Sequence, residues 1–248
     1  MDYGVGVRRK EMALQSGTLV PLLFPKHSSG AMAHAQEIRV CTNRTCRKQG
    51  SFQTLETLSA LAPPNLAVNS CGCLGRCGAG PNLAILPDGF IVGHCGTPAQ
   101  AAQLVATLFS RDDADATSSL EALALRKRAE IEFQNRNLSE AELLLSQAID
   151  SEPFGGMHVL FKCRSVVRLE LGNYRGALQD AREALNLAPR YSEAYICQGD
   201  AFLALNEFES AEQSYLASLD IDPLIRRSKS FKARILKLQE KVAAVNTS

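Results

Sequence analysis

Cys71-Gly-Cys-Leu-Gly-Arg-Cys-Gly-Ala-Gly-Pro81 holds three of the eight cysteines of a 248-residue chain, and places Gly72, Gly75, Gly78 and Gly80 around them. Glycine lets a backbone take positive φ and lets its N–H groups come close to whatever neighbouring sulfurs hold. The stretch therefore predicts a loop built around a thiolate-bound centre. Upstream, Cys41 and Cys46 form a second close pair. Four thiolates in two pairs suit an iron–sulfur cluster, and they also suit a tetrahedral zinc ion. Spacing alone leaves the metal open. Two disulfides, or four unrelated buried cysteines, are the other readings. Disulfides need an oxidising compartment, and the remaining Cys71, Cys95, Cys163 and Cys197 show no pairing logic.

Outward from the loop, Glu37 to Cys41 reads as a short strand that delivers Cys41 to its C-terminal end. Phe52, Leu55, Leu58 and Leu61 recur at helical spacing over Ser51 to Ala62, and Pro63-Pro64 stops the helix. Leu66 to Val68 is a second strand. Leu83 to Leu86 and Phe90 to Val92 flank Pro87-Asp-Gly89, which signals a hairpin. Thr97 then caps a helix with Pro98 in its first turn and Gln100 completing a capping box, and the helix runs to about Ser110. The result is an α/β layer with a small core, for which a metal centre would serve as a staple.

Three segments, Cys41-Thr-Asn-Arg-Thr-Cys46, Cys73-Leu-Gly-Arg-Cys77-Gly-Ala-Gly-Pro-Asn82 and Pro87-Asp-Gly89, resemble the thioredoxin-like 2Fe-2S ferredoxins over about residues 36–110. The resemblance implies a thioredoxin-like α/β fold and a 2Fe-2S cluster held by Cys41, Cys46, Cys73 and Cys77. Cys71 is an alternative third ligand; the spacing of three residues before Cys77 favours Cys73. Arg76, between two ligands, would raise the potential. No Cys-x-x-Cys is present, so disulfide exchange is not expected. His27, His34, His94 and His158 stand apart from any nucleophile pattern, and no phosphate-cradling glycine motif occurs. No enzyme activity is expected from this chain.

Arg111 to Ser119 is polar and unpatterned and reads as a linker, with Ser118 to Glu121 as a capping box opening the next helix. From Leu120 the sequence repeats. Pro153, Pro189 and Pro223 are separated by 36 and 34 residues, the period of a helix–turn–helix repeat. Small residues recur before each proline, at Ala141, Ala177 and Ala211 and at Ala148, Ala184 and Ser218. These segments resemble tetratricopeptide repeats over about residues 120–223. The third repeat fits best, through Tyr195, Gly199, Phe202, Phe208, Ala211, Tyr215 and Pro223. The second departs at Ser165 and carries Arg164 and Arg168 on its first helix, and the first has Ala129 where the family has glycine. Gly155-Gly156 implies a looser turn between the first two repeats. Residues 224–248 read as a capping helix and tail, with Phe231, Ile235, Leu238 and Val242 facing inward and a basic opposite face of Arg226, Arg227, Lys229, Lys232, Arg234, Lys237 and Lys241.

Repeats of this kind present a concave groove for a partner protein. The groove is expected to mix Leu123, Val159, Val166, Ile196 and Leu203 with Lys162 and Asp200. In the chaperone-binding members of the family a set of Lys, Asn and Arg residues clamps a terminal carboxylate. The matching positions here are Arg126, Glu130, Cys163, Glu193 and Cys197, of which only the first suits a carboxylate.

The net charge of +1 removes a chain-wide nucleic-acid footprint. No uninterrupted apolar run is long enough to span a bilayer, which leaves peripheral membrane contact through the basic face. Residues 1–35 carry Arg8, Arg9, Lys10 and Lys26 against Asp2 and Glu11 and read as a disordered targeting segment, for a chloroplast or other organelle. Together these readings give a ferredoxin-like α/β domain followed by an all-α repeat domain. Its expected function is a redox adaptor in electron transfer or assembly of a photosynthetic or respiratory complex, with a protein partner in the groove and a redox partner at the cluster. The alternatives are a scaffold stabilised by Fe–S or zinc, and an electron-carrying component of an enzyme whose catalytic subunit is another chain.

Overall fold

The computed structural model describes residues 35–246, so the targeting reading of the N-terminal segment lies outside the described residues. The first unit contains strand β1 (Glu37–Cys41), the short helix α1 (Arg44–Lys48), α2 (Ser51–Leu61), β2 (Ala67–Cys71), β3 (Leu83–Leu86), β4 (Phe90–Val92) and α3 (Pro98–Leu108). The sheet order is β2-β1-β3-β4. β1 runs parallel to β2 and antiparallel to β3, and β4 returns antiparallel on β3. The expected order of strand, helix, strand, hairpin and helix is therefore present as a small mixed sheet. Gly89 takes φ 75° in the hairpin turn, which a side chain would disfavour. Thr97 and Gln100 close the capping box from both sides. Ile38, Val40, Leu58, Leu83, Leu104 and Leu108 form the core between sheet and helices, each almost fully buried.

Helices α4 (Asp113–Gln134), α5 (Leu138–Asp150), α6 (Met157–Glu170), α7 (Tyr174–Leu187), α8 (Ser192–Ala204) and α9 (Phe208–Ile221) follow as three antiparallel hairpins. A 3-10 turn (Pro223–Arg227) and α10 (Lys229–Asn246) complete the described chain. The small residues at the repeat period sit where the two helices of a hairpin cross. Ala141, Ala148, Ala177, Ala184, Ala211 and Ser218 are all fully buried. Gly199 is held to glycine because an added methyl would meet the Tyr215 ring. Ser165, the departure in the second repeat, is accommodated by donating its hydroxyl to the Ala177 carbonyl at 2.8 Å.

The join between the two halves departs from the sequence reading at two places. Residues 113–119 are not a linker: Asp112 caps α4 by accepting from the Asp115 N–H at 2.9 Å, and the first two turns of α4 follow. Asp113 and Asp115 suit the positive end of the helix dipole, and Ala116 and Ser119 are buried. Ser118 donates to the Ser151 carbonyl instead of opening the helix. Gly155-Gly156 is not a loose turn either. It packs on the C-terminal end of α2, where a methyl on Gly155 would overlap the Leu61 carbonyl and one on Gly156 the Ala60 carbonyl. Phe154 stacks on Phe109 with centroids 5.4 Å apart and takes the Arg111 guanidinium 4.7 Å above its ring. Leu61, Ala102, Ala106, Ala116 and Leu123 form a second small core between α2, α3 and α4. The sheet unit and the repeats are thus docked through a layer of small residues.

Arg164 and Arg168 on α6 do not face solvent. Arg164 donates to both carboxylate oxygens of the buried Asp180 on α7, at 2.8 and 3.0 Å, and to Ser146 on α5 at 3.1 Å. Arg168 bridges Asp180 at 3.0 Å and Glu142 on α5 at 2.7 Å. Three consecutive helices are laced by this one network. At the end of the array α10 seats Phe231 and Leu238 against Leu203, Ala211 and Tyr215. Arg234, assigned from sequence to the solvated face, turns inward and ion-pairs with Asp200 at 2.8 Å. Its position between the buried Phe231 and Leu238 on the helix surface explains the difference.

Candidate binding groove and thiol cluster

The concave face is made by α4, α6 and α8, the first helices of the three hairpins. Both of its ends are already covered. Leu123 is buried against Leu61 and Ala102 of the sheet unit, and Leu203 is buried against α10. Asp200 accepts from Tyr215 at 2.7 Å and from Arg234 at 2.8 Å, so its charge is neutralised within the chain. Of the expected lining, Val159, Lys162, Val166 and Ile196 keep partial exposure in the middle.

That middle holds two features invisible in the sequence. A cavity of about 210 Å³ is lined by Ala129, Phe133, Leu145, Val166 and Val167, with Glu130, Lys162 and Cys163 at its rim. One helical turn before its Glu130 and Lys162, two buried nitrogen atoms, Arg126 Nε and His158 Nδ1, lack a hydrogen-bond partner among the described residues. Arg126 has only a loose ion contact to Glu130 at 3.7 Å. His158 lies edge-on to Tyr191, centroids 5.1 Å apart. Burial lowers the His158 pKa; Glu193 opposes the shift and Lys162 adds to it. Tyr191 is pushed upward, first by burial and then by the charges of Glu193, Cys163 and Cys197. Buried polar atoms without partners are costly, and the Arg126 Nε–H is satisfied most simply by a carbonyl or carboxylate of a partner.

The loop cysteines gather at the C-terminal ends of β1 and β2, as two pairs. Cys41 and Cys46 are both buried, and Cys46 accepts from the Asn82 side chain at 3.6 Å. Burial raises the Cys41 pKa, but the N–H groups of Asn43 and Leu74, with Cys46, outweigh it and bring it below the ordinary thiol value. Cys46 moves upward, mainly by burial. Cys73 and Cys77 are exposed, with sulfurs 3.6 Å apart, and that contact raises Cys77. Cys71 lies beside Cys41 in the parallel register and is raised by burial. All eight cysteines are free thiols.

The convergence expected of Cys41, Cys46, Cys73 and Cys77 is therefore one of neighbourhood. Among the described residues no three or more His, Cys, Asp or Glu side chains are arranged to hold a metal ion. A buried pair satisfied by amide donors and an exposed pair satisfied by each other account for the four sulfurs.

Cys95 and Cys197 belong to neither pair. Burial alone pushes Cys95 up to about 12, and burial, then Asp200, does the same for Cys197. Both folded-state values lie above the unfolded thiol value of 9.0. The stability they contribute is complete below that value and is lost as pH rises through it, at ~1.4 kcal/mol per pH unit for each thiol. Urea unfolding of the full chain is expected to lose about 3 kcal/mol between about pH 8 and about pH 10. A flat profile would contradict the burial of these two thiols.

Comparison with known proteins places the helical half. The tetratricopeptide repeat family profile matches residues 165–224. The chain is 33% identical over 103 residues to the protein STIP1 homolog of Dictyostelium discoideum, covering 42% of this chain and 18% of that protein. It is 32% identical over 103 residues to the Hsp70-Hsp90 organising protein of Plasmodium falciparum, covering 42% of this chain and 40% of that protein. The chain thus spans well under half the length of these relatives. Among solved structures, the first TPR domain of Spaghetti (RPAP3) bound to the HSP90 peptide SRMEEVD is 24% identical, covers 50% of this chain and 94% of that chain, and superposes with a TM-score of 0.45. The all-helical part is a tetratricopeptide repeat array, and such arrays bind protein partners.

The same findings correct the first half of the sequence reading. The relatives include proteins named for organising Hsp70 and Hsp90 and a heat shock protein, STI1, of Saccharomyces cerevisiae, and nothing among them supports a thioredoxin-like ferredoxin domain. With no metal-holding arrangement among the described residues, the expected 2Fe-2S cluster, the zinc alternative, the redox partner and the electron-transfer role are all overturned. The photosynthetic or respiratory setting, and with it the chloroplast expectation, loses its basis too. The groove follows from the repeat period of the sequence. The two orphaned nitrogens could not be found that way, because nothing in the sequence says which buried nitrogens go unpaired.

Proposed function

We propose that this chain is a non-catalytic adaptor that holds a short segment of a partner protein between α4, α6 and α8, with molecular chaperones as the partner class. One observation carries the reading: Arg126 Nε and His158 Nδ1 are buried without partners beside an apolar cavity in an otherwise satisfied groove. The chaperone assignment is supported by the Plasmodium falciparum relative, which is named as an Hsp70-Hsp90 organising protein. A bound segment would give Arg126 an acceptor and place an aliphatic side chain in the cavity under Val166. Glu130 and Glu193 oppose a highly acidic segment, so an acidic tail would be held mainly by its aliphatic residue and terminal carboxylate.

The test is fluorescence polarisation with labelled SRMEEVD peptide and the full chain. Val166→Asp is expected to abolish binding, and Arg126→Ala to weaken it about tenfold, or ~1.4 kcal/mol. Binding that survives both substitutions would place the peptide elsewhere. A wild-type chain that ignores the peptide would remove chaperone tails as the occupant.

A further inference from the structure

The C-terminal cap carries a surface that the groove does not use. Arg226, Arg227, Lys229, Lys232, Lys237 and Lys241 have no acidic partner among the described residues, and within α10 only Glu240 opposes them. Large aliphatic side chains stand among these cations. Leu224 is 67% exposed, Leu236 57% and Val245 61%. An open depression of about 540 Å³ between α9 and α10 brings Leu216, Leu219 and Leu236 together with Arg226 and Lys232, and Glu212 is the acid at its edge. The described helices include none long and apolar enough to cross a membrane.

We propose that this face docks peripherally on an anionic lipid bilayer, the cations meeting phosphate headgroups while Leu216, Leu224 and Leu236 reach the acyl boundary. A basic cluster of this size on an amphipathic helix is what a negatively charged leaflet attracts. Two other occupants fit less of the surface. A phosphodiester backbone would engage the cations but has no use for exposed leucines. An acidic partner helix would fill the depression but would leave Leu224 and Val245, which lie outside its lining, in water.

The test is flotation of the full chain with phosphatidylcholine vesicles, with and without phosphatidylserine. The chain is expected to float with the anionic vesicles only, and added salt is expected to release it. Combined Lys229→Glu, Lys232→Glu and Lys237→Glu should abolish flotation. Leu236→Asp, with every cation in place, should reduce it severalfold. Failure to float, or equal flotation with neutral vesicles, overturns the proposal. So does a short DNA duplex that displaces the vesicles while Leu236→Asp has no effect, since that pattern belongs to nucleic acid. The comparisons of lipid and salt use the wild-type chain, so they stand even if a variant fails to fold.

Discussion

Replacing Asp180 by alanine is expected to cost about 3–5 kcal/mol of folding stability, enough to unfold many domains of this size. The Asp180 side chain is 2% exposed and is the shared acceptor of two guanidinium groups. Without it Arg164, with a side chain 13% exposed, and Arg168, 19% exposed, are left as mostly buried cations. Arg168 keeps Glu142, and Arg164 keeps the Ser146 hydroxyl and the face of the Phe161 ring, neither of which carries a counter-charge. Removing one member is therefore worse than removing all of them. Asp180→Leu with Arg164→Met and Arg168→Leu is expected to recover most of the loss, because apolar groups of similar size need no counter-charge. Urea titration of the three chains decides the matter. A loss below about 1 kcal/mol for Asp180→Ala would show that the guanidinium groups find water.

The second large effect concerns the seam between sheet and repeats. Gly155→Val is expected to destabilise the chain by about 3 kcal/mol, the upper part of the range for overpacking, because the atom it meets is the Leu61 backbone carbonyl and cannot turn aside. Movement of the 153–156 loop would also take Phe154 from Phe109 and Arg111. Calorimetry of the variant should then show two transitions where the parent chain shows one, as the halves melt separately. Gly72→Ala, at a glycine with open space around it and no positive φ, is the matched control. A single unshifted transition for Gly155→Val would mean that the seam yields without loss.

Period and turn chemistry made much of the fold legible before any coordinates. Pro87-Asp-Gly89 marked the hairpin, Thr97 to Gln100 marked a helix start, and the small residues preceding Pro153, Pro189 and Pro223 marked the crossings of paired helices. What escaped notice depended on partners distant in the chain. Arg164 and Arg168 stood out only as a departure on the first helix of the second repeat, because their acid, Asp180, lies on the next helix. Arg111 to Ser119 read as a linker because its buried side, Ala116 and Ser119, faces a different unit. The cysteine loop shows the limit most clearly. Its spacing drew the thiols to one end of the sheet, but spacing does not fix the directions of sulfur lone pairs. The pairing of Cys41 with Cys46, and of Cys73 with Cys77, is set by amide donors and exposure that a linear pattern does not contain.

The covering of both groove ends sets a length limit on whatever enters. Packed helices lie about 10 Å apart, so the open span from α4 to α8 is roughly 20 Å, or about six residues of extended chain at ~3.3 Å each. A recognition element that brief resembles a word rather than a domain. Single substitutions in a client could create or erase it, so the set of clients could change quickly while the scaffold that reads them stays the same.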